Sequence, residues 1–310
     1  MKTYEKKIVF REIRNFSETI AAVTYFIKQN LKILLKSTAF IALPIVMLGF
    51  LGMGVASMGL VEGAANDNIE GLMGSLGLFY ATMFVMWLGL ILVMGCVYEY
   101  IILYIKRVDF QNITVAEISQ NVLKHIGLYI STTFLIAISF GVLFFFVLVF
   151  LGMFIFIHEL LILFSVIAIL VSLSYITVAL SNIYMIRIVE RRAFFDAFGR
   201  CFELLSGHFL STLGLYFVVS LISFSLLGLL PMIMQGTSLF LAETLMFEMP
   251  IFLYAFQIVY SIFYVGYNII YGVAIGFRYF TLVEAKEGIG MLRKVRKIGQ
   301  HLQISENPAT

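Results

Sequence analysis

Residues 126–157 read IGLYISTTFLIAISFGVLFFFVLVFLGMFIFI, an uninterrupted run without one Asp, Glu, Lys or Arg. About 20 apolar helical residues cross the hydrocarbon core of a bilayer, so this run is long enough to span it. After His158 and Glu159 comes a second uncharged run, LLILFSVIAILVSLSYITVALSNIYMI (160–186). Two such runs joined by two residues predict a membrane hairpin. Working outward, four further runs qualify, at about 33–60, 72–105, 209–234 and 251–283. The expected fold is all-α integral membrane, with six transmembrane helices arranged as three hairpins. Pro44 is expected to kink the first run, and the longer runs are expected to tilt or project.

Composition excludes the soluble alternative. Hydrophobic residues make up 61% of the chain and charged ones 13%, with a mean hydropathy of +1.00. Soluble domains carry about 25% charged residues. Apolar surface left in water costs about 25 cal/mol per Å², so lipid must be the solvent. The 31 Phe and 16 Tyr suit membrane helices and their interfaces. The opening 30 residues are too polar, and the first apolar run too long, for a cleavable signal peptide. The first helix is therefore expected to act as the targeting signal.

The basic residues are segregated. The first 36 residues hold eight Lys/Arg, 106–124 three, 187–208 four, and Arg278 onward six, which accounts for all 21. The connections 61–71, 158–159 and 235–250 hold none. The positive-inside rule puts the basic segments and both termini in the cytoplasm, which an even number of spans requires. The expected location is the cytoplasmic (inner) membrane. Connection 61–71 (VEGAANDNIEG) reads as a short loop, and 158–159 as a tight hairpin. Connection 235–250 reads as a stretch that could hold a short interfacial helix. Cys96 and Cys201 read as small apolar fillers on the reducing side. Residues 288–310 read as a basic, partly disordered cytoplasmic tail whose RKVRK cluster (293–297) meets lipid headgroups rather than nucleic acid.

Three segments resemble one another: SETIAAVTYFIK (17–28), ITVAEISQNVLK (113–124) and FDAFGRCFELLS (195–206). Each spaces apolar residues at helical intervals, and each precedes a membrane run. They predict three repeat units, about 15–107, 110–190 and 192–287, each a cytoplasmic-face amphipathic helix and then a hairpin. Lying at the interface, Lys28, Lys32, Lys124 and Arg200 are expected near anionic headgroups.

The third unit carries a resemblance. Ala197, Arg200, Cys201, Leu204, Gly207 and Phe209 follow an Ala-x-x-Arg-Ser…Leu-x-x-Gly-x-Phe pattern, with Cys201 in place of the Ser. In this the chain resembles the membrane domain that accompanies some glycerophosphodiester phosphodiesterases, and related six-helix bacterial membrane proteins. The resemblance implies a membrane fold without phosphodiesterase activity, because that chemistry belongs to a separate soluble barrel.

Ionisable residues inside spans are candidate sites. Glu99 lies seven residues before Lys106, about 10 Å inside the basic edge. Arg278 lies at a similar depth, so the two could form an ion pair, either as a structural latch or as a proton or substrate relay. Asn182, Gln257 and Asn268 are polar positions within spans, suited to interhelical hydrogen bonds or to lining a cavity. Tyr98, Tyr100 and Tyr104 read as an aromatic belt, and Gly52, Gly54, Gly89 and Gly95 as close-packing positions. His158 and Glu159 are too few for a metal site. No P-loop, HExxH, GxSxG or CxxC pattern occurs, and no cofactor is expected. The sequence favours a non-catalytic scaffold, assembly factor or partner subunit among membrane lipids and other membrane proteins. The alternative is a transporter or lipid-handling protein; an intramembrane enzyme ranks third.

Overall fold

The computed structural model describes residues 7–154, 159–223 and 249–288, together with 225, 229, 233 and 292. The expected hairpin at His158, most of connection 235–250 and the RKVRK cluster lie outside the described residues. Among the described residues every regular element is a helix, with no strand. The elements are α1 (Phe16–Ile41), α2 (Leu43–Ala65), α3 (Ile69–Lys106), α4 (Val115–Phe154), α5 (Glu159–Leu180), α6 (Ile183–Met185), a π-turn (Ile186–Glu190), α7 (Phe194–Leu205), α8 (Phe209–Ser223) and α9 (Met249–Glu287). Five stretches are long and apolar enough to cross a membrane: Leu43–Ala64, Ile69–Lys106, Val115–Val147, Ile169–Glu190 and Tyr254–Glu287. A sixth is added if Phe194–Leu205 and Phe209–Ile222, bent by 98° at their junction, count as one.

Local chemistry sets the helix boundaries. Asn15 and Glu18 cap α1 reciprocally: each backbone N–H donates to the other's side chain, both at 2.9 Å. Thr114 and Glu117 do the same for α4, at 3.3 and 3.2 Å. This capping box satisfies N–H groups that have no intrahelical acceptor. Ala42 interrupts the first apolar run, which begins in α1 and continues in α2. Pro44 sits in the first turn of α2, where its missing N–H removes no helical hydrogen bond. The loop expected at 61–71 shrinks to Asn66–Asn68, because Asn68 caps α3 by accepting from Gly71 N at 3.1 Å. The run expected at 160–186 is broken at Ser181–Asn182. Gly207 (φ +81°) sits at the α7–α8 bend, in the left-handed region that a side chain disfavours.

The three amphipathic segments share a register. Thr19, Val23, Phe26 and Asn30 are buried on α1; Ile118, Val122 and Tyr129 on α4; and Ala197, Cys201 and Leu204 on α7. Counted from Asn15, Thr114 and Ala193, these are the same positions. Beyond the shared register the three helices diverge. α1 runs to the break at Ala42, α4 continues unbroken into the apolar run, and α7 ends in the sharp bend.

By contacts the chain forms two compact units. The first takes in Met1–Phe26, Phe134–Tyr216 and Ala274–Thr310, and the second Ile27–Thr133 and Phe217–Val273. In the first unit the N-terminal segment is packed rather than free: Phe10 stacks on Phe277 at 4.2 Å and meets Phe26 edge-on at 5.2 Å. Arg14 lies over the Phe277 ring at 5.6 Å. In the second unit α2 and α3 pack along a seam of small residues. Gly49, Gly52, Ala56, Gly59 and Gly63 alternate at three- and four-residue spacing, which keeps them on one helix face. A methyl added at Gly49 would lie 2.5 Å from Met86 Cγ, and one at Gly89 2.6 Å from Val46 Cγ2. Close approach of backbones is how membrane helices gain packing when lipid offers no hydrophobic drive between them.

Gly49→Val should therefore force α2 and α3 apart and lower stability by about 1–3 kcal/mol, the usual range for overpacking. Gly74→Val, at a position with nothing near its Cβ direction, should change stability far less. Thermal denaturation of both variants in detergent checks this, and equal losses would refute the seam.

Candidate functional site

Polar side chains are gathered into clusters in both units among the described residues. In the second unit the later half of α3 is enclosed on all sides: Val93 and every residue from Gly95 to Ile102 are buried, as is Tyr104. Within it Glu99 is 2% exposed, and its Oε1 lies 2.7 Å from His125 Nδ1. Tyr129 donates its hydroxyl to the same oxygen at 3.2 Å. His125 and Tyr129 are four residues apart on α4 and so share a face. Tyr100 donates to Asn30 Oδ1 at 2.6 Å, and Tyr104 to Gln29 Oε1 at 3.1 Å, tying α3 to α1. A carboxylate removed from water needs such donors, because an isolated buried charge is strongly disfavoured.

In the first unit Arg200, its side chain 5% exposed, sits among carboxylates from three elements. Nη1 lies 2.8 Å from Glu203 Oε1 on α7, Nε lies 3.4 Å from Glu190 Oε2 at the end of the π-turn, and Nη2 contacts Glu287 on α9. Glu190 also accepts from Tyr279 Oη at 3.1 Å and pairs with Arg192 at 2.8 Å. The guanidinium fork suits this role, since its five N–H groups can serve several carboxylates at once.

Of the expected site residues, Glu99 and Arg278 each have partners within their own unit. Arg278, 4% exposed, donates from Nε to Thr212 Oγ1 at 2.8 Å. Its Nη2 donates to Ser211 Oγ at 2.5 Å and to the His208 carbonyl at 3.2 Å. Asn268 is buried and donates to the Tyr264 carbonyl of its own helix at 2.8 Å, so its bond is intrahelical instead of interhelical. An i−4 carbonyl is the nearest acceptor an amide on a helix can find. Gln257 is half-buried on α9. Asn182 is fully buried at the α5–α6 break, and neither its Nδ2 nor its Oδ1 has a hydrogen-bond partner. The interhelical bond expected of it is not made.

Two further expectations are corrected. Tyr98, Tyr100 and Tyr104 form no lipid-facing belt; all are buried, and Tyr100 and Tyr104 bond to α1. Arg200 is held by carboxylates of the chain rather than placed at headgroups, while Lys28, Lys32 and Lys124 are exposed. His125 is not legible in the sequence as a partner of Glu99. It comes directly after Lys124, which marks it as a basic-edge residue, whereas Glu99 counts as about 10 Å inside. Cys96 and Cys201 are free thiols buried in the core, as expected of small fillers.

No family model, curated protein or solved structure matches the chain.

Glu99→Ala should lower stability by about 3 kcal/mol, because it removes the buried acceptor that Tyr129 and His125 share and with it the link between α3 and α4. Glu99→Gln keeps an acceptor and should cost about 1 kcal/mol. Unfolding of the three proteins in one detergent would rank them, and an unchanged Glu99→Ala midpoint would exclude a structural role for the cluster.

Proposed function

We propose that the chain is a non-catalytic protein of the cytoplasmic membrane, acting as a scaffold, assembly factor or partner subunit. The observation that carries this is the closure of Glu99. The carboxylate most deeply placed in an apolar run is taken up by His125 and Tyr129 of the same chain. A group so occupied works as a latch between α3 and α4. The small-residue seam of α2 and α3 supports a rigid, close-packed frame in the same way.

The proposed layout is six spans in three hairpins, with both termini in the cytoplasm and three repeat units. The bent α7–α8 pair supports the sixth span, and the shared burial register of α1, α4 and α7 supports the repeat. The segregation of all 21 Lys/Arg supports the orientation. Membrane lipids and other membrane proteins are the proposed partners. The resemblance of the third unit to the membrane domain beside glycerophosphodiester phosphodiesterases fits a membrane role without chemistry of its own.

A second function, transport or lipid handling, is favoured by Asn182. An amide buried with neither atom partnered costs about 1–3 kcal/mol relative to a satisfied one. Such a group suits a place where a polar ligand passes.

Affinity purification from native membranes, with proteins and lipids of the eluate identified by mass spectrometry, separates the two. Stoichiometric partner proteins retained in Glu99→Gln and in Asn182→Leu are the expected result. A lone protein carrying one enriched lipid or solute, lost in Asn182→Leu, would establish the second function instead. A reporter fused to the C-terminus should be active only if it is of the kind that works in the cytoplasm. Activity of a periplasm-dependent reporter there would overturn the orientation.

A further inference from the structure

Arg278 is a buried cation without an anion. Its hydrogen bonds go to two hydroxyls and one carbonyl, and no carboxylate is among its partners in the described residues. Nη1 has no acceptor at all there. Arg200, similarly buried in the same unit, shows the contrast, with three carboxylates around it. A guanidinium out of water is strongly disfavoured unless an opposite charge accompanies it.

Its surroundings increase the positive charge. Arg278 reaches the start of α8, where the macrodipole is equivalent to about half a positive charge and repels a cation. The amides of Phe209, Leu210 and Ser211 have no acceptor among the described residues, because the first backbone bond of the helix is Thr212 N to His208 O, at 3.1 Å. The hydroxyls of Ser211 and Thr212 already donate to the same carbonyl, at 3.0 and 2.8 Å, leaving only lone pairs for Arg278. The His208 imidazole at the bend is held below its ordinary pKa, by burial first and then by the charges of Arg278 and Lys286. Those two charges thus act on one spot. The bend lies at the surface: Ser206, Gly207, Ser211 and Lys286 are exposed, and Leu210 is 78% exposed.

We propose that the α7–α8 bend is a binding site for a phosphoryl anion. The free N–H groups heading α8 and Nη1 of Arg278 bind its oxygens, with Lys286 at the rim. Oxyanions are the ligands that a helix N-terminus and a guanidinium both favour. The anion is the phosphate of an anionic phospholipid or phosphate free in water. The bend gives this site its form. Were α7 and α8 one straight helix, the amides of residues 209–211 would be spent on the carbonyls of the preceding turn. Gly207 at φ +81° makes the turn that frees them. The site does not depend on whether the chain is a scaffold or a transporter.

The test uses the full chain purified in a zwitterionic detergent. Thermal stability is followed against added phosphatidylglycerol, phosphatidylcholine and inorganic phosphate. Phosphatidylglycerol or inorganic phosphate should raise Tm with saturation, as a ligand of the folded state must, and phosphatidylcholine should not. A response to the lipid alone identifies a headgroup site, and a response to inorganic phosphate identifies a free-anion site; either supports the proposal. Ser211→Asp supplies a carboxylate within reach of Arg278. It should raise the unliganded Tm and abolish the anion response. Lys286→Gln, at an exposed position that folding does not need, should weaken binding about fivefold, the factor that roughly 1 kcal/mol per basic residue near an anion implies. Lys28→Gln and Lys124→Gln should bind as the native chain does. No Tm response to either anion, or a response equally weakened by Lys28→Gln and Lys286→Gln, would overturn the site.

Discussion

In hydrocarbon no water competes for a hydrogen-bonding group, so every donor and acceptor there must find its partner in the chain. That constraint runs through this structure. The backbone meets it by being helical along every apolar run described. The small hydroxyls meet it by donating to carbonyls three or four residues back, as Thr38 does to Leu34 and Thr281 to Phe277. Asn268 closes on its own helix in the same way, while other large polar groups reach across and join helices together. Glu99 links α3 to α4, Tyr100 and Tyr104 link α3 to α1, and Arg200 links α7 to the π-turn and α9.

The breaks in the helices obey the same constraint, since each interruption frees backbone groups that must be satisfied. Ala42 is the mildest. Its N–H still reaches the Thr38 carbonyl at 2.9 Å, and Pro44 two residues on has no N–H to satisfy. At Ser181–Asn182 the backbone closes too, Asn182 N–H on the Ala179 carbonyl and its own carbonyl on Ile186 N–H, and Ser181 bonds to the Val178 carbonyl and the Tyr216 hydroxyl; only the Asn182 side-chain amide is left unpartnered. The bend at Gly207 leaves the most open, with the amides of residues 209–211 without an acceptor among the described residues, beside a buried guanidinium. A membrane protein places uncommitted polar groups where a ligand can commit them.

Small residues carry the other half of the architecture. Along α2 the glycines sit where α3 would otherwise collide, so those two helices are fixed by shape, whereas α3 and α4 are fixed by charge and hydrogen bonding. The two devices act in different parts of α3: the seam at Ser75, Thr82 and Met86, the polar cluster from Glu99 onward.

The sequence by itself determined the solvent, the helices and the polar residues worth watching. Uncharged runs of 27 and 32 residues and the segregation of every Lys and Arg are properties of residue order alone. Capping pairs such as Asn15 with Glu18, and punctuation such as Pro44 and Gly207, act within four residues and are read the same way. Tertiary structure alone decided which polar groups meet. Counting residues from a basic edge gives depth along one helix but not rotation about it. Glu99 and Arg278 therefore match in depth, while His125, on another helix face 26 residues away, cannot be selected. The enclosure of Tyr98, Tyr100 and Tyr104 is hidden for the same reason, because a tyrosine near an interface has one sequence signature whether lipid or protein surrounds it.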